Sequence, residues 1–171
     1  MEEKIKLTTS LGDIEIELFK NHAPLTVANF LNYVDEKFYD QTLFHRVINN
    51  FMIQGGGYER GMIEKSTKDP IINEADNGCS NLAYTIAMAR TNDPHSATAQ
   101  FFINVVDNKF LDFKSTRMED FGYCVFGKVI SGNETVDKIK QVSTETHGFN
   151  ADVPIDDVVI ESIIRMSGGN E

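Results

Sequence analysis

The chain has 171 residues, 41% of them hydrophobic, which is enough for one domain that buries roughly two thirds of its unfolded surface. Sixteen basic against 26 acidic side chains leave a net charge of -10 with no basic run, so the electrostatic footprint of nucleic-acid binding is missing and the dispersed acid favours neutral or basic substrates. No stretch approaches the ~20 apolar residues of a membrane span, and the charged opening MEEKIKLTTS holds no apolar signal segment, so the expectation is a cytoplasmic protein with neither nucleic acid nor membrane as partner, and, with no oligomerisation signal in the sequence, a monomer.

Lys4 to Thr9 and Asp13 to Phe19 alternate polar with apolar around Ser10-Leu11-Gly12, with Ile14, Ile16 and Leu18 on one face and Glu15 and Glu17 on the other, which predicts a hairpin. From Pro24 the period changes. Val27, Phe30, Leu31, Val34 and Phe38 recur at the three-and-four spacing of a helix that starts on Pro24 and ends near Tyr39. Further strands are expected at Leu43 to Ile48, Phe51 to Gly55, Thr85 to Ala89, Phe101 to Val105, Tyr123 to Val129 and Val158 to Met166, eight in all. The polar stretch Tyr58 to Asn81, with Gly61, Pro70 and Asn77-Gly78, reads as a loop bordering the site. A second helix is predicted from Glu134 to about Val142, capped by Asn133, with Val136, Ile139 and Val142 facing inward. One domain over 1–171 is expected, with a flexible tail at 166–171. So many strands with two helices argue for a mainly β domain. Closure would remove the exposed sheet edges, although composition alone leaves sandwich and barrel level.

The chemistry concentrates in FHRVINNFMIQGGG, from Phe44 to Gly57. Strand alternation puts Phe44, Arg46 and Ile48 on one face and His45 and Val47 on the other; Phe51, Ile53 and Gly55 then oppose Met52 and Gln54, unless a bulge or turn re-aims them. Two readings stand at this point. Arg46 is either a cationic fork beside a greasy surface, fit for an uncharged bulky substrate, or an ion-pair partner at a sheet edge with Phe51 and Met52 as plain core. A second segment, AMARTNDPHSATAQFFIN from Ala87 to Asn104, joins two apolar runs by a turn-rich loop and places Gln100 before Phe101, Phe102 and Ile103. A third, KFLDFKSTRMEDFGYCVFGKV from Lys109 to Val129, adds Phe110, Leu111 and Tyr123.

Together, FHRVINNFMIQGG, the stretch from MAR to AQFFI, and FLD followed by GYCVFGKV resemble the cyclophilin family of peptidyl-prolyl cis/trans isomerases, and most of all its compact bacterial cytoplasmic type. The resemblance runs from about Lys4 to Met166 in the family's own order. It implies a closed eight-stranded antiparallel β-barrel capped by two α-helices, with a packed interior and the substrate on the outer surface. It also implies an enzyme that needs no cofactor and no metal, and that accelerates rotation about X-Pro bonds in proline-containing peptides and in unfolded or flexible protein segments. Carried over by motif, the catalytic arginine falls on Arg46 and the amide that fixes the substrate backbone on Gln54, with Gln100 close by. The proline pocket falls on Phe51, Met52, Phe102 and Leu111, and the peptide-facing strand on Ala89 and Arg90. Phe110 and Tyr123 stand where better-known eukaryotic members carry Trp and His. The chain has no Trp at all, so the indole N–H that holds cyclosporin is missing and weakened cyclosporin binding is expected, while an aromatic wall for proline remains.

Other chemistries find little support. Ser96 beside His95 lacks a G-x-S-x-G elbow, and adjacent residues rarely meet the geometry of nucleophile and base. His22, His45, His95 and His147 show no metal-ligand spacing; they read as surface or sheet-edge histidines, with His147 in a turn. Cys79 and Cys124 suit a reducing compartment, Cys124 as a small buried hydrophobe, and Asn133-Glu134-Thr135 is only formally a glycosylation acceptor. A small-ligand barrel is opposed by large inward candidates such as Ile16, Phe19 and Val125. The serious rival is a proline-peptide-binding chaperone or scaffold with little turnover.

Overall fold

The computed structural model describes residues 3–166. Strands β1 (Glu3–Thr9) and β2 (Gly12–Leu18) form the expected hairpin, in one unbroken register from Glu3–Leu18 to Thr9–Gly12. Their alternation sends Ile5, Leu7, Ile14, Ile16 and Leu18 inward, none more than 3% exposed. Helix α1 (Pro24–Asp35) begins on its proline and buries Val27, Phe30, Leu31 and Val34. It stops short of Tyr39 because Lys37 takes a positive φ of 60°, which no helix accommodates. Phe38 and Tyr39 still join the core from that turn, and the Tyr39 hydroxyl donates to the Ala99 carbonyl at 2.7 Å.

The chain continues through β3 (Thr42–Ile48), β4 (Met52–Glu59), the two-residue β5 (Ile63–Glu64), a short 3-10 turn over Ala75–Asn77, β6 (Thr85–Met88) and β7 (Phe101–Asn104). Beyond β8 (Val125–Ser131) come α2 (Asn133–Lys140), β9 (Thr144–His147), β10 (Asn150–Pro154) and β11 (Val159–Arg165). The strands pair in the order β3-β11-β1-β2-β8-β6-β7-β4, and β4 pairs again with β3, which closes an eight-stranded antiparallel barrel. These are the eight strands expected from the sequence. The helices sit at opposite ends of β2: α1 follows its last residues, whereas Thr135 of α2 donates to the Asp13 carbonyl at its start.

Four details depart from expectation. β5 interrupts the stretch read as loop, pairing with Tyr58 and Glu59, which themselves belong to β4. The β9–β10 hairpin was invisible to periodicity because Glu145, Thr146 and His147 all face solvent, and His147 ends a strand instead of lying in a turn. Asn133 is the first residue of α2, not its cap; Gly132 takes the cap in the left-handed conformation, at φ 95°. The helix ends at Lys140, leaving Val142 half-buried beyond it. The tail expected at 166–171 lies outside the described residues apart from Met166.

The interior is solid. Phe30, Phe44, Phe101 and Phe126 are all 0% exposed and meet as rings, with Phe30–Phe101 centroids 5.8 Å and Phe30–Phe126 centroids 5.2 Å apart. Each such side chain contributes about 2–3 kcal/mol of burial, and among the described residues these rings fill the centre of the barrel. Of the three large inward candidates only Ile16 is in this cluster; Phe19 and Val125 belong to a second one, with Met52, Ala87 and Phe102, on the outer face of the barrel.

Candidate functional site

A bulge on β3 creates the site. Ile48–Met52, Val47–Ile53 and Arg46–Gln54 share one register, but the next pair is Phe44–Gly55, so His45 is an extra residue on β3. Phe44 therefore points into the interior while Arg46 and Ile48 lie outside, and the shared face that strict alternation predicts for these three residues does not exist. His45 is the cost of that turn. It is 5% exposed, packs its ring 4.4 Å from that of Tyr58, and leaves Nδ1 without a hydrogen-bond partner. Burial, helped by the Arg46 charge, pushes its pKa down to about 4, so it is a buried neutral histidine and not the surface or sheet-edge residue expected.

Phe51 precedes β4 in a turn where its N–H donates to the Ile48 carbonyl at 3.0 Å, so it joins Met52 on the outer surface instead of opposing it. Gln54 follows Met52 on the same side, and across the β4–β7 ladder it faces Phe102. Alternation along β7 sends Phe101 inward and Phe102 outward. The result is a cavity of about 160 Å³ with an apolar lining of Phe51, Met52, Phe102 and Leu111. Arg46, Gln54, Ala89, Arg90 and Tyr123 complete its wall, so nine of the eleven residues singled out from the sequence border one hollow.

The polar groups on that wall are ordered by one another. Arg46 Nη1 donates to Gln54 Oε1 at 3.2 Å, and Gln54 Nε2 donates to Gln100 Oε1 at 2.9 Å, so Gln100 orients the amide from behind without reaching the hollow. Gly57 explains itself here: a Cβ at that position would lie 2.5 Å from Gln100 Cγ, so only glycine leaves Gln100 its place. Ala89 and Arg90 fall just past the end of β6, and the Ala89 N–H donates to the Gln100 carbonyl at 3.0 Å. Arg90 lies 4.4 Å over the Tyr123 ring and donates to the Gly122 carbonyl through Nε and Nη2, at 3.1 and 3.0 Å. Phe110 is outside the hollow, 65% exposed, and stacks on Phe51 with centroids 5.9 Å apart.

Sequence reasoning missed the residues that hold the far wall. Leu111 and Tyr123 belong to a loop, and Gly122, at φ 78°, lets its two ends touch: a Cβ there would meet the Leu111 carbonyl oxygen at 2.6 Å. The loop is tied to the barrel by buried asparagines. Asp112 Oδ1 accepts from the Asn81 N–H at 2.7 Å and from Asn81 Nδ2 at 3.0 Å, while Oδ2 accepts from the Ser80 hydroxyl. Asn104 Nδ2 donates to Asn81 Oδ1 at 3.0 Å, and Asn108 Nδ2 to both Asn104 Oδ1, at 2.8 Å, and the Phe51 carbonyl, at 2.9 Å. Burial works to raise the Asp112 pKa, but the bonds from Ser80 and Asn81 and the Lys114 charge outweigh it and hold the carboxyl below its ordinary value. The one signal in the sequence was Asn104 closing the apolar strand FFIN, where a buried amide demands partners.

The side chains raised for other chemistries have structural roles. Ser96 Oγ accepts from the Thr91 N–H at 2.9 Å and donates to the Asp93 carbonyl at 2.7 Å, and His95 Nδ1 accepts from the Asn73 N–H at 3.0 Å, so neither addresses the other. Cys124 is 3% exposed, with burial pushing its thiol up to about 12. Among the described residues no three His, Cys, Asp or Glu side chains gather as a metal site, and no helix is long and apolar enough to cross a membrane.

Comparison with known proteins follows the same geometry. Residues 4–165 match the family described as cyclophilin type peptidyl-prolyl cis-trans isomerase/CLD. The chain is 59% identical over 155 residues to the Escherichia coli K12 protein named peptidyl-prolyl cis-trans isomerase B, covering 91% of this chain and 94% of that one. It is 58% identical over 158 residues to the Streptomyces antibioticus peptidyl-prolyl cis-trans isomerase cyp18, covering 92% and 95%. The fold is similar to the crystal structure of a Cryptosporidium parvum cyclophilin-type isomerase, with a TM-score of 0.78 at 24% identity over 98% of this chain and 99% of that one.

Proposed function

The chain belongs to the cyclophilin-type peptidyl-prolyl cis-trans isomerase family, and on that premise we propose that it accelerates rotation about X-Pro bonds in peptides and flexible protein segments, with Arg46 as the catalytic group. Rotation about a peptide bond faces a barrier of ~18–20 kcal/mol, because the nitrogen lone pair is delocalised into the carbonyl. That barrier corresponds to roughly 0.01 turnovers per second. At X-Pro the two isomers differ by only ~0.5–1 kcal/mol, so the catalyst acts on the barrier and not on the equilibrium.

In the twisted transition state the proline nitrogen regains its lone pair and becomes a hydrogen-bond acceptor. A guanidinium fixed beside it binds the twisted form more tightly than either planar one, which is the differential that catalysis requires. The observation that carries this reading is the Arg46 Nη1 to Gln54 Oε1 hydrogen bond of 3.2 Å on the wall of a hollow whose apolar lining is Phe51, Met52, Phe102 and Leu111. Phe51, Met52, Phe102 and Leu111 grip the ring, and Gln54 holds the substrate backbone while the rest rotates. A turnover of about a thousand per second would need roughly 7 kcal/mol of such differential binding, within reach of a few charge-assisted hydrogen bonds in a dry site. No nucleophile or proton shuttle enters the reaction.

The test is Arg46→Ala in a protease-coupled proline-peptide assay. Activity should fall by about a hundredfold or more with the fold retained, since among the described residues the half-buried Arg46 side chain makes a single side-chain hydrogen bond. Arg46→Lys should also lose most activity, because a point ammonium lacks the planar fork. Near-native activity of either variant refutes the role. Exchange NMR that detects peptide binding without faster interconversion by the unaltered protein would point instead to a holding module.

A further inference from the structure

Beside the proline hollow, and sharing Arg90, Leu111 and Tyr123 with it as a common wall, lies a second and larger cavity of about 340 Å³ bounded by the loop that leads to Gly122. Nothing in the reaction above uses it. Its rim carries two large apolar side chains that a folded chain ordinarily hides, Phe110 at 65% and Met118 at 62% exposure. Its charges are mixed but not equally available. Arg90 lies flat on Tyr123 and turns its N–H groups to the carbonyls of Gly122 and Thr91, the last at 2.8 Å. Lys114 Nζ donates to the carbonyls of Phe110 and Asp112, at 3.0 and 3.3 Å. Of the three lining carboxylates Asp112 is taken up by Ser80 and Asn81, and the other two are freer: among the described residues Asp120 accepts one side-chain hydrogen bond, from Ser115 Oγ at 2.9 Å, and the exposed Glu119 pairs only with the exposed Arg117.

We propose that this cavity is a subsite of the peptide groove that receives the lysine or arginine side chain of a substrate residue within two positions of the proline, a reading that rests on the isomerase function proposed above. The methylene stem lies against Phe110 and Met118, which suit a flexible apolar shaft and a passing cation. The charged head reaches Glu119 and Asp120, while the N–H groups of Arg90 and Lys114 stay turned to backbone carbonyls, and the net charge of -10 on the whole chain draws a cation from a distance. An acidic side chain meets the opposite field and is too short to cover the apolar rim.

The experiment uses the full chain and a set of proline pentapeptides carrying lysine, norleucine or glutamate at each of the two positions before and the two after proline. Dissociation constants come from amide-shift titrations, and isomerisation from exchange spectra of the same samples. At one position lysine should bind about fivefold more tightly than glutamate at low salt, with the difference collapsing at about 0.5 M salt. Glu119→Gln and the pair Glu119→Gln with Asp120→Asn should erode it in that order; the first touches an exposed side chain and leaves the Ser115 bond intact. Equal affinities for lysine and glutamate at all positions, or a preference the variants leave unchanged, overturns the subsite. Norleucine matching lysine overturns the cationic class. Faster exchange without any preference removes the subsite alone, whereas a preference without faster exchange removes the isomerase reading and leaves the cationic pocket standing.

Discussion

Phe101 and Phe102 are neighbours on one strand with opposite fates: one fills the barrel interior, the other floors the outer hollow. The interior asks of its residues only that they be apolar and of suitable volume, so a period of two on each strand supplies it. The hollow asks for a guanidinium and an amide beside apolar walls, and β3 meets that by slipping one residue at His45, while a loop brings the far wall. Stability therefore resides mainly inside the barrel, and the side chains proposed to select and turn over the substrate lie outside it.

The sharpest break of that division is Phe101→Ala. Removing a fully buried ring that meets Phe30, Tyr39 and Phe44 should cost about 3–5 kcal/mol in urea unfolding, while the protein that remains folded keeps its activity per molecule. Arg46→Ala is its mirror, inactive yet nearly as stable as the parent. Comparable stability losses in the two variants would show that the outer surface is as much a part of the core as the inside.

The bulge supplies the next test, because His45 is where the two regions meet. Burial favours the neutral imidazole, so the folded pKa is about 4 against the ordinary 6.5, and the unfolded chain takes up the proton first on acidification. Stability from this group is complete above about 6.5 and is lost as pH falls towards 4, about 3 kcal/mol in total. The stability gap between the parent and His45→Asn, measured by urea at steps from pH 7 to pH 4, should therefore shrink steadily. A gap that holds constant with pH would mean that His45 is solvated and the bulge open.

What the sequence disclosed follows the same division. Alternating or continuous apolar runs located all eight barrel strands, and helical spacing found the buried face of α1, because both patterns record apolar burial directly. Motif resemblance singled out Arg46 and Gln54, yet the alternation of Leu43 to Ile48 put Phe44 and Arg46 on one face, since a bulge leaves no mark in hydrophobic period. The β9–β10 hairpin and the asparagine ties stayed hidden for a related reason: their residues are polar, and polarity alone does not tell solvent from a buried partner.

Those ties carry the smallest of the effects expected here and the most specific. Asp112 Oδ1 accepts twice from Asn81, so Asp112→Ala leaves a backbone N–H and a buried amide without their acceptor, at about 2 kcal/mol. The neighbouring residues feel it first: Leu111, which precedes Asp112, and Tyr123, whose carbonyl accepts from the same Asn81 amide at 3.3 Å, form the far wall of the hollow. A loosened wall should raise KM for proline peptides several-fold with kcat little changed, because Arg46 and Gln54 stand on the opposite strands. Asp112→Asn should recover most of both losses. Its single carbonyl can keep the Oδ1 place facing Asn81, and its NH2 can donate to Ser80 Oγ, a hydroxyl free to rotate from donor to acceptor. Alanine kinetics matching the parent would mean that the wall holds without its anchor; asparagine failing as badly as alanine would mean that the anchor works through its charge and not through the bonds to Asn81.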